Sequence, residues 1–350
     1  MQNNQYTLLP EWADQEAVLL AWPHQYTDWA DNLAQVHETY LTLINAINEA
    51  DAVVILLCPA DEIIHLKSVL SSQNRVLIFA ANYNDTWVRD YGFLTVSDNQ
   101  ANYPLSFEFN GWGQKFDAQL DNKINQSLTQ LCQNTLLVNE TVLEGGAIEI
   151  DENQHLLTTA SCLYNPKRNG RMNKERYESL FKEYLGAKKV TIFNHGRLEG
   201  DDTDGHIDTL ARFTPLMGIV LQGADNRPLD SHFAELFKLQ YEVTQALPAH
   251  KIYSLPLPFV TNENGERLPA SYANYLILNR HILLPVYEAS EDQAAVEIVQ
   301  SAYPNYKIIQ VPCTSLVQQN GSLHCISMQV PTNTIKPEFI ALAQTGVAVL

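Results

Sequence analysis

The 350-residue sequence is short of positive charge: 22 Lys and Arg stand against 40 Asp and Glu, a formal charge of −18. No basic block interrupts that excess, which argues against nucleic acid, because clustered Lys and Arg supply most of the affinity for a phosphate backbone. Long hydrophobic runs are missing as well. The longest, such as Ala52 to Cys58, have the length of a buried strand, far below the roughly 18 residues of a membrane span. No membrane partner is therefore expected. Cysteine is sparse and unpaired in spacing: Cys58, Cys132, Cys162, Cys313 and Cys325 include no CxxC, which disfavours a disulfide scaffold or a structural zinc site. The opening MQNNQYTLLPEW has neither a basic nor an apolar leader region, so no secretory signal is expected and a cytoplasmic location fits best. No low-complexity stretch or linker divides the chain, and 45% hydrophobic residues exclude disorder.

What is present is a structural repeat. From Asn274 to Pro312 the chain reads YLILN, a turn at Asn279-Arg280, HILLPVY, a helical stretch from Ser290 to Ala302, then KIIQVP: strand, strand, helix, strand. A second copy has HIDTLARF and MGIVLQG, a helix over Asp230 to Leu247 with apolar Phe233, Leu236, Phe237 and Tyr241, then KIYSLPLP. A third has GGAIEI and HLLTTASCLY, a helix over Lys174 to Tyr184, then KVTIF. A fourth has YGFLTV and YPLSFEF, a weaker helix over Asp117 to Cys132, then TLLVN. The fifth is split: LHCISMQV near the end continues into AVLLAW, the helix Asn32 to Ala50 and AVVILL near the start. Closing a ring this way removes free sheet edges. The length then belongs to one closed domain, 1–350, of five ββαβ units, with the helix Glu62 to Ser71 and the strand RVLIFAA left over as an insertion.

Asp90, Glu144, His206, Asn274 and Cys325 each fall at or beside the start of a unit's first strand, so a ring would bring them together on its axis. Cys325, in NGSLHCIS, is the candidate nucleophile; a thiol with an ordinary pKa of about 8.5 needs a positive neighbour or a bound cation to act as thiolate. The other four cysteines read as structural. His206 in DDTDGHIDTLARF is surrounded by acids, which favour the imidazolium and the role of general acid. The calcium-loop pattern fails there on its spacing, and a His206–Asp208 metal pair has no obvious third ligand. Asp90 in DTWVRDYG and Glu144 in VLEGGAIEI are carboxylates suited to the N–H donors of a guanidinium, although Asp90 could simply pair with Arg89 and Glu144 could cap a turn. Trp87 could be core or could cover the alkyl stem of a cation.

LPEW with AWPH, DTWVRDYG, FNGWGQKF, LEGGAIE, TDGHID and GSLHCIS stand in the order found in agmatine deiminases and bacterial-type peptidylarginine deiminases, and the sequence resembles that family from about Leu9 to Val330. The resemblance implies an α/β fold, a five-bladed α/β propeller of ββαβ units. It also implies Cys325 as nucleophile, His206 as general acid and base, Asp90 and Asp208 as grips on the guanidinium, Glu144 as an acidic partner orienting substrate and His206, and Trp87 in the substrate channel. The implied reaction is hydrolytic deimination of a small cationic guanidino substrate, agmatine first, through a covalent adduct on Cys325, with no metal and no organic cofactor. Ser322, Ser327-Met328-Gln329 and Phe93 depart from the family's usual residues. Peptidylarginine and free arginine are alternative substrates, for which Arg197 or Arg168 could meet a carboxylate. A polyamine- or guanidine-binding protein without chemistry and a cysteine amidase are readings from other classes; the presence of both Cys325 and His206 opposes the first, and an acid-surrounded His206 opposes the second. A homo-oligomer is left open.

Overall fold

The strands of the computed structural model, which describes residues 6–350, form five separate sheets with helices between their strands, an α/β architecture. Each sheet repeats one pattern: a first strand antiparallel to the second, and a third parallel to the second. An antiparallel pair can be joined by a tight turn, whereas a parallel return needs a crossover, and a helix usually provides it. The unit read from Asn274 onward shows why this sequence does so. Leu276–Leu278 pairs antiparallel with His281–Val286, Asn279 and Arg280 take the positive φ values (45° and 62°) of a two-residue hairpin turn, and Lys307–Pro312 returns parallel. The helix Asp292–Ala302 covers the sheet with Ala295, Val299 and Ala302, which lie on one face at helical spacing.

The same arrangement holds for Ala211–Thr214, Gly218–Gln222 and Lys251–Leu255, and for Glu149–Ile150, His155–Thr159 and Lys189–Phe193. It holds again for Leu94–Ser97, Asn102–Glu108 and Leu137–Val142, where Thr7–Leu8 adds a fourth strand. In the fifth sheet Met328–Pro331 pairs antiparallel with Gln15–Ala21, which pairs parallel with Val53–Cys58. The segment expected as an insertion extends this sheet instead: Val76–Ala80 runs parallel to Val53–Cys58, and Val347–Val349 adds a fifth strand beyond it.

Three expectations need correction. The helix Phe233–Ala246 buries Leu236, Leu239 and Val243, while Phe237 and Tyr241 are 58% and 63% exposed, so the stripe read from the sequence is rotated off the true core face. The helix expected over Asp117 to Cys132 shrinks to a 3-10 turn at Asp121–Lys123 and a short helix Ile124–Leu128. The first strands of the units also start later than their sequence patterns suggest. LHCISMQV is extended only from Met328, because Ser327 N–H returns to the His324 carbonyl and Asn274 Oδ1 accepts from His324 N–H, consuming groups a ladder would use. HIDTLARF begins with a 3-10 turn at Ile207–Thr209, GGAIEI with one at Gly145–Ala147, and YGFLTV is preceded by the helical turn Val88–Tyr91. Each chemistry-bearing residue thus occupies a tight corner ahead of its strand. Among the described residues no helix is long and apolar enough to cross a membrane.

Candidate active site

The corners are tied to one another. Arg89, buried beneath Asp90, donates from its backbone N–H to the Cys325 carbonyl (3.1 Å) and from Nε to the His324 carbonyl (3.3 Å), so the Asp90 and Cys325 turns are locked side by side. Its guanidinium faces Glu11 at 3.5 Å; the Arg89–Asp90 pairing considered from sequence is not the one formed. Asp90 accepts instead from Gly146 N–H at Oδ1 (3.0 Å) and from Trp112 Nε1–H at Oδ2 (2.9 Å).

Gly146 explains the Gly-Gly beside Glu144. A Cβ there would lie 2.7 Å from His206 Nδ1, 2.9 Å from Asp90 Oδ1 and 3.0 Å from Asp208 Oδ2, so three functional groups converge on a point only glycine leaves free. His206 Nδ1 is 3.6 Å from Asp90 Oδ1, and Nε2 is 4.0 Å from Glu144 Oε2. Burial by itself would pull the His206 pKa down, but the Asp90 carboxylate, with Cys162 and Glu144, outweighs it and raises the pKa to about 10. Burial raises the pKa of Asp90, and the attraction of His206 offsets only part of that. For Asp208 burial is outweighed by the hydrogen bond and charge of His324, whose Nδ1 is 2.7 Å from Oδ2, and its pKa is lowered. Asp208 Oδ1 has no partner among the described residues.

Glu144 is held by Arg168, whose Nε donates to Oε1 (2.8 Å) and Oε2 (3.0 Å) while NH1 reaches Asp204 (2.7 Å). Arg168 is therefore committed inside the protein and is not free to meet a substrate carboxylate. Arg197 is exposed and is not among the residues that line the cavity, although its neighbour Leu198 is. Cys325 Sγ donates to Asn274 Oδ1 at 3.4 Å and lines the same cavity as Asp90 and Trp87. Burial, reinforced by Asp208 and Asp90, pushes the Cys325 thiol well above its usual range. Trp87 packs so closely on Gly321 that a Cβ there would come within 2.1 Å of its ring.

The structure brings Asp90, Glu144, His206, Asp208 and Cys325 together, with Trp87 on the cavity wall. The sequence reading gave no site role to Trp112 or His324, offered Arg168 only as a partner for a substrate carboxylate, and took Cys162 as structural. Trp112 had a signal in the glycines on either side of it, which with it take positive φ in the turn at Gly111–Gln114. Cys162 had none, yet its Sγ lies 3.9 Å from Glu144 Oε2. The cavity is lined by Asp28, Asp85, Asp90, Asp117, Asp121, Asp201 and Asp202, and no Lys or Arg is among its described lining residues. Burial raises Asp85 and Asp121 to about 7, so part of this charge is titratable near neutrality.

A family model described as Porphyromonas-type peptidyl-arginine deiminase matches residues 7–331. A Vibrio parahaemolyticus protein named "Putative agmatine deiminase" is 33% identical over 346 residues, 90% of this chain and 93% of that protein. A solved structure of C. jejuni agmatine deiminase with substrate bound, a cysteine-to-serine variant, is 32% identical with a TM-score of 0.89, covering 95% of this chain and 97% of that one. A Porphyromonas gingivalis structure titled as a "Putative Arginine Deiminase" is 37% identical with a TM-score of 0.86, covering 95% and 100%.

Proposed function

This chain belongs to the Porphyromonas-type peptidyl-arginine deiminase family, and from that premise we propose that it hydrolyses agmatine to N-carbamoylputrescine and ammonia. The observation that carries the reading is the convergence of Asp90, His206 and Asp208 on Gly146 beside a cavity lined by Cys325. A guanidinium there would offer N–H donors to Asp90 and to the unpartnered Asp208 Oδ1, which holds its plane against Cys325. The cation also eases the thiol's problem: burial, reinforced by the two carboxylates, keeps Cys325 protonated, and the substrate's positive charge both neutralises those carboxylates and stabilises a thiolate where its target is bound.

The thiolate attacks the guanidinium carbon, and the His206 imidazolium gives its proton to the departing ammonia. The amidino-thioether that remains is attacked by water, from which neutral His206 takes a proton. Collapse breaks the C–S bond, returns the thiolate and leaves the ureido carbonyl, the proton of the added hydroxyl passing to solvent, where the released ammonia takes it up as ammonium. One agmatine and one water yield one N-carbamoylputrescine and one ammonia. Glu144 keeps His206 oriented, and Trp87 flanks the alkyl chain. Orientation and electrostatics supply most of the rate enhancement.

Agmatine is favoured over arginine because the cavity wall offers aspartates and, among the described residues, no Lys or Arg to the far end of the substrate. We further propose that 1–350 is one catalytic domain, its five sheets standing as propeller blades around the site. The pairing of Met328–Pro331 with Gln15–Ala21 supports a ring closed by both ends of the chain. Incubation with agmatine, arginine and an arginine peptide, assayed for ammonia and ureido product with Cys325→Ala as control, tests the activity. Turnover of agmatine above the other two is expected, and none of the three being consumed overturns the reading.

A further inference from the structure

Cys162 is fully buried in the helical turn Ala160–Leu163, where an apolar residue would serve as packing. It does pack in the hydrophobic core with Leu163, Tyr177 and Phe181, but its thiol also meets polar groups. The donor atoms of Glu144, Cys162 and His206 all lie within 4.8 Å of one another, with Sγ 3.9 Å and His206 Nε2 4.0 Å from Glu144 Oε2. A second observation singles the group out. His206 is 1% exposed, yet among the described residues its Nε2 has no hydrogen-bond partner, an unsatisfied nitrogen directed at a thiol and a carboxylate.

A thiol, an imidazole nitrogen and a carboxylate oxygen are the donors that zinc-class cations select over calcium or magnesium. Bonds of about 2.0–2.3 Å in a tetrahedral site set ligand atoms roughly 3.3–3.8 Å apart, so the present spacings, all within 4.8 Å, need to contract by no more than about 1.5 Å. Arg168 donates to both Glu144 oxygens and would orient the ligating carboxylate as an outer-sphere donor does. The approach suits a cation, since the cavity wall carries Asp85, Asp121, Asp201 and Asp202 and leads to Asp90, which faces His206. Cys325 lies outside the group, its Sγ directed to Asn274.

We propose that Glu144, Cys162 and His206 form a binding site for a zinc-class divalent cation, which on binding releases one proton from the Cys162 thiol and one from the His206 imidazolium to solvent, and that its occupation inactivates the enzyme by taking His206 out of proton transfer. The inactivation rests on the deiminase reading; the binding does not.

The test is Co2+ added to the purified protein, read as the thiolate-to-cobalt charge-transfer absorption and its displacement by Zn2+, with ammonia release from agmatine followed in parallel. The band is expected in the wild type and in Cys325→Ala and lost in Cys162→Ser, and Zn2+ is expected to suppress wild-type ammonia release. A band that survives Cys162→Ser, one that disappears in Cys325→Ala, or none in the wild type overturns the site. If Cys162→Ser fails to fold, a Zn2+-soaked wild-type crystal carries the test. An anomalous peak between the three side chains supports the site, and any other position, or no peak, overturns it. A cobalt band in a protein that turns over no guanidine supports the site while overturning the deiminase reading.

Discussion

Asp90 is the residue on which the site's electrostatics turn, because it faces His206 and accepts from both Gly146 and Trp112. A hydrogen bond to a charged group contributes about 1.5–3 kcal/mol, so Trp112→Phe should lower kcat/KM for agmatine by roughly 10- to 100-fold with folding preserved. Steady-state kinetics alongside a melting curve separates that outcome from simple destabilisation. Gly146→Ala should be more severe, since the added methyl falls on His206, Asp90 and Asp208 at once. The His206 pKa gives a prediction with a sign. It rises from 6.5 to about 10 because Asp90, Cys162 and Glu144 outweigh burial. The native state therefore binds the proton more tightly than the unfolded chain, and the stabilisation is complete below pH 6.5 and lost as pH climbs through about 10. The melting-temperature gap between wild type and His206→Gln should be largest at the acid end and close toward about pH 10; a gap that widens with pH contradicts the pairing.

At the scale of elements, the helix Phe233–Ala246 gives a direct contrast. Leu239→Ala removes a fully buried side chain and should cost about 2–5 kcal/mol, whereas Phe237→Ala, more than half exposed, should change stability by no more than about 0.5 kcal/mol. Chemical denaturation of both variants checks it. The contrast also marks how far the sequence could be read. Strand, strand, helix, strand was legible from periodicity, but a 14-residue helix with an aromatic stripe (Phe233, Phe237, Tyr241) beside an aliphatic one (Leu236, Leu239, Val243) does not say which face meets the sheet. The site residues were legible as a set because they recur just ahead of the first strands. Their exact backbone was not, because the corner at Cys325 depends on Asn274, a residue 51 positions away in the chain. Cys162 shows the same limit. Nothing in TTASCLY separates it from an inert core thiol, and only the folded arrangement sets it against Glu144.

For the whole molecule, most of the −18 charge is a matter of solubility, but the cavity wall concentrates part of it where a dication would enter. Added salt should therefore lower kcat/KM for agmatine through screening over the roughly 8–10 Å Debye length of ordinary buffers, with a smaller effect on kcat. A salt-independent kcat/KM would assign the acids to solubility alone. Segments from early and late in the chain meet at the Cys325 corner: Met328–Pro331 pairs with Gln15–Ala21, and Glu11 reaches His324 Nε2 at 2.5 Å. Stability and activity should then fall together when that sheet is broken, for instance by Val330→Asp. The central claim, that Cys325 carries the substrate covalently while His206 moves the protons, is tested most directly by rapid acid quench of wild type with agmatine and mass spectrometry of the digested protein. The account requires an adduct of agmatine less ammonia on the peptide containing Cys325, absent from Cys325→Ala. Turnover in Cys325→Ala, or wild-type turnover with the adduct on any other residue, contradicts it.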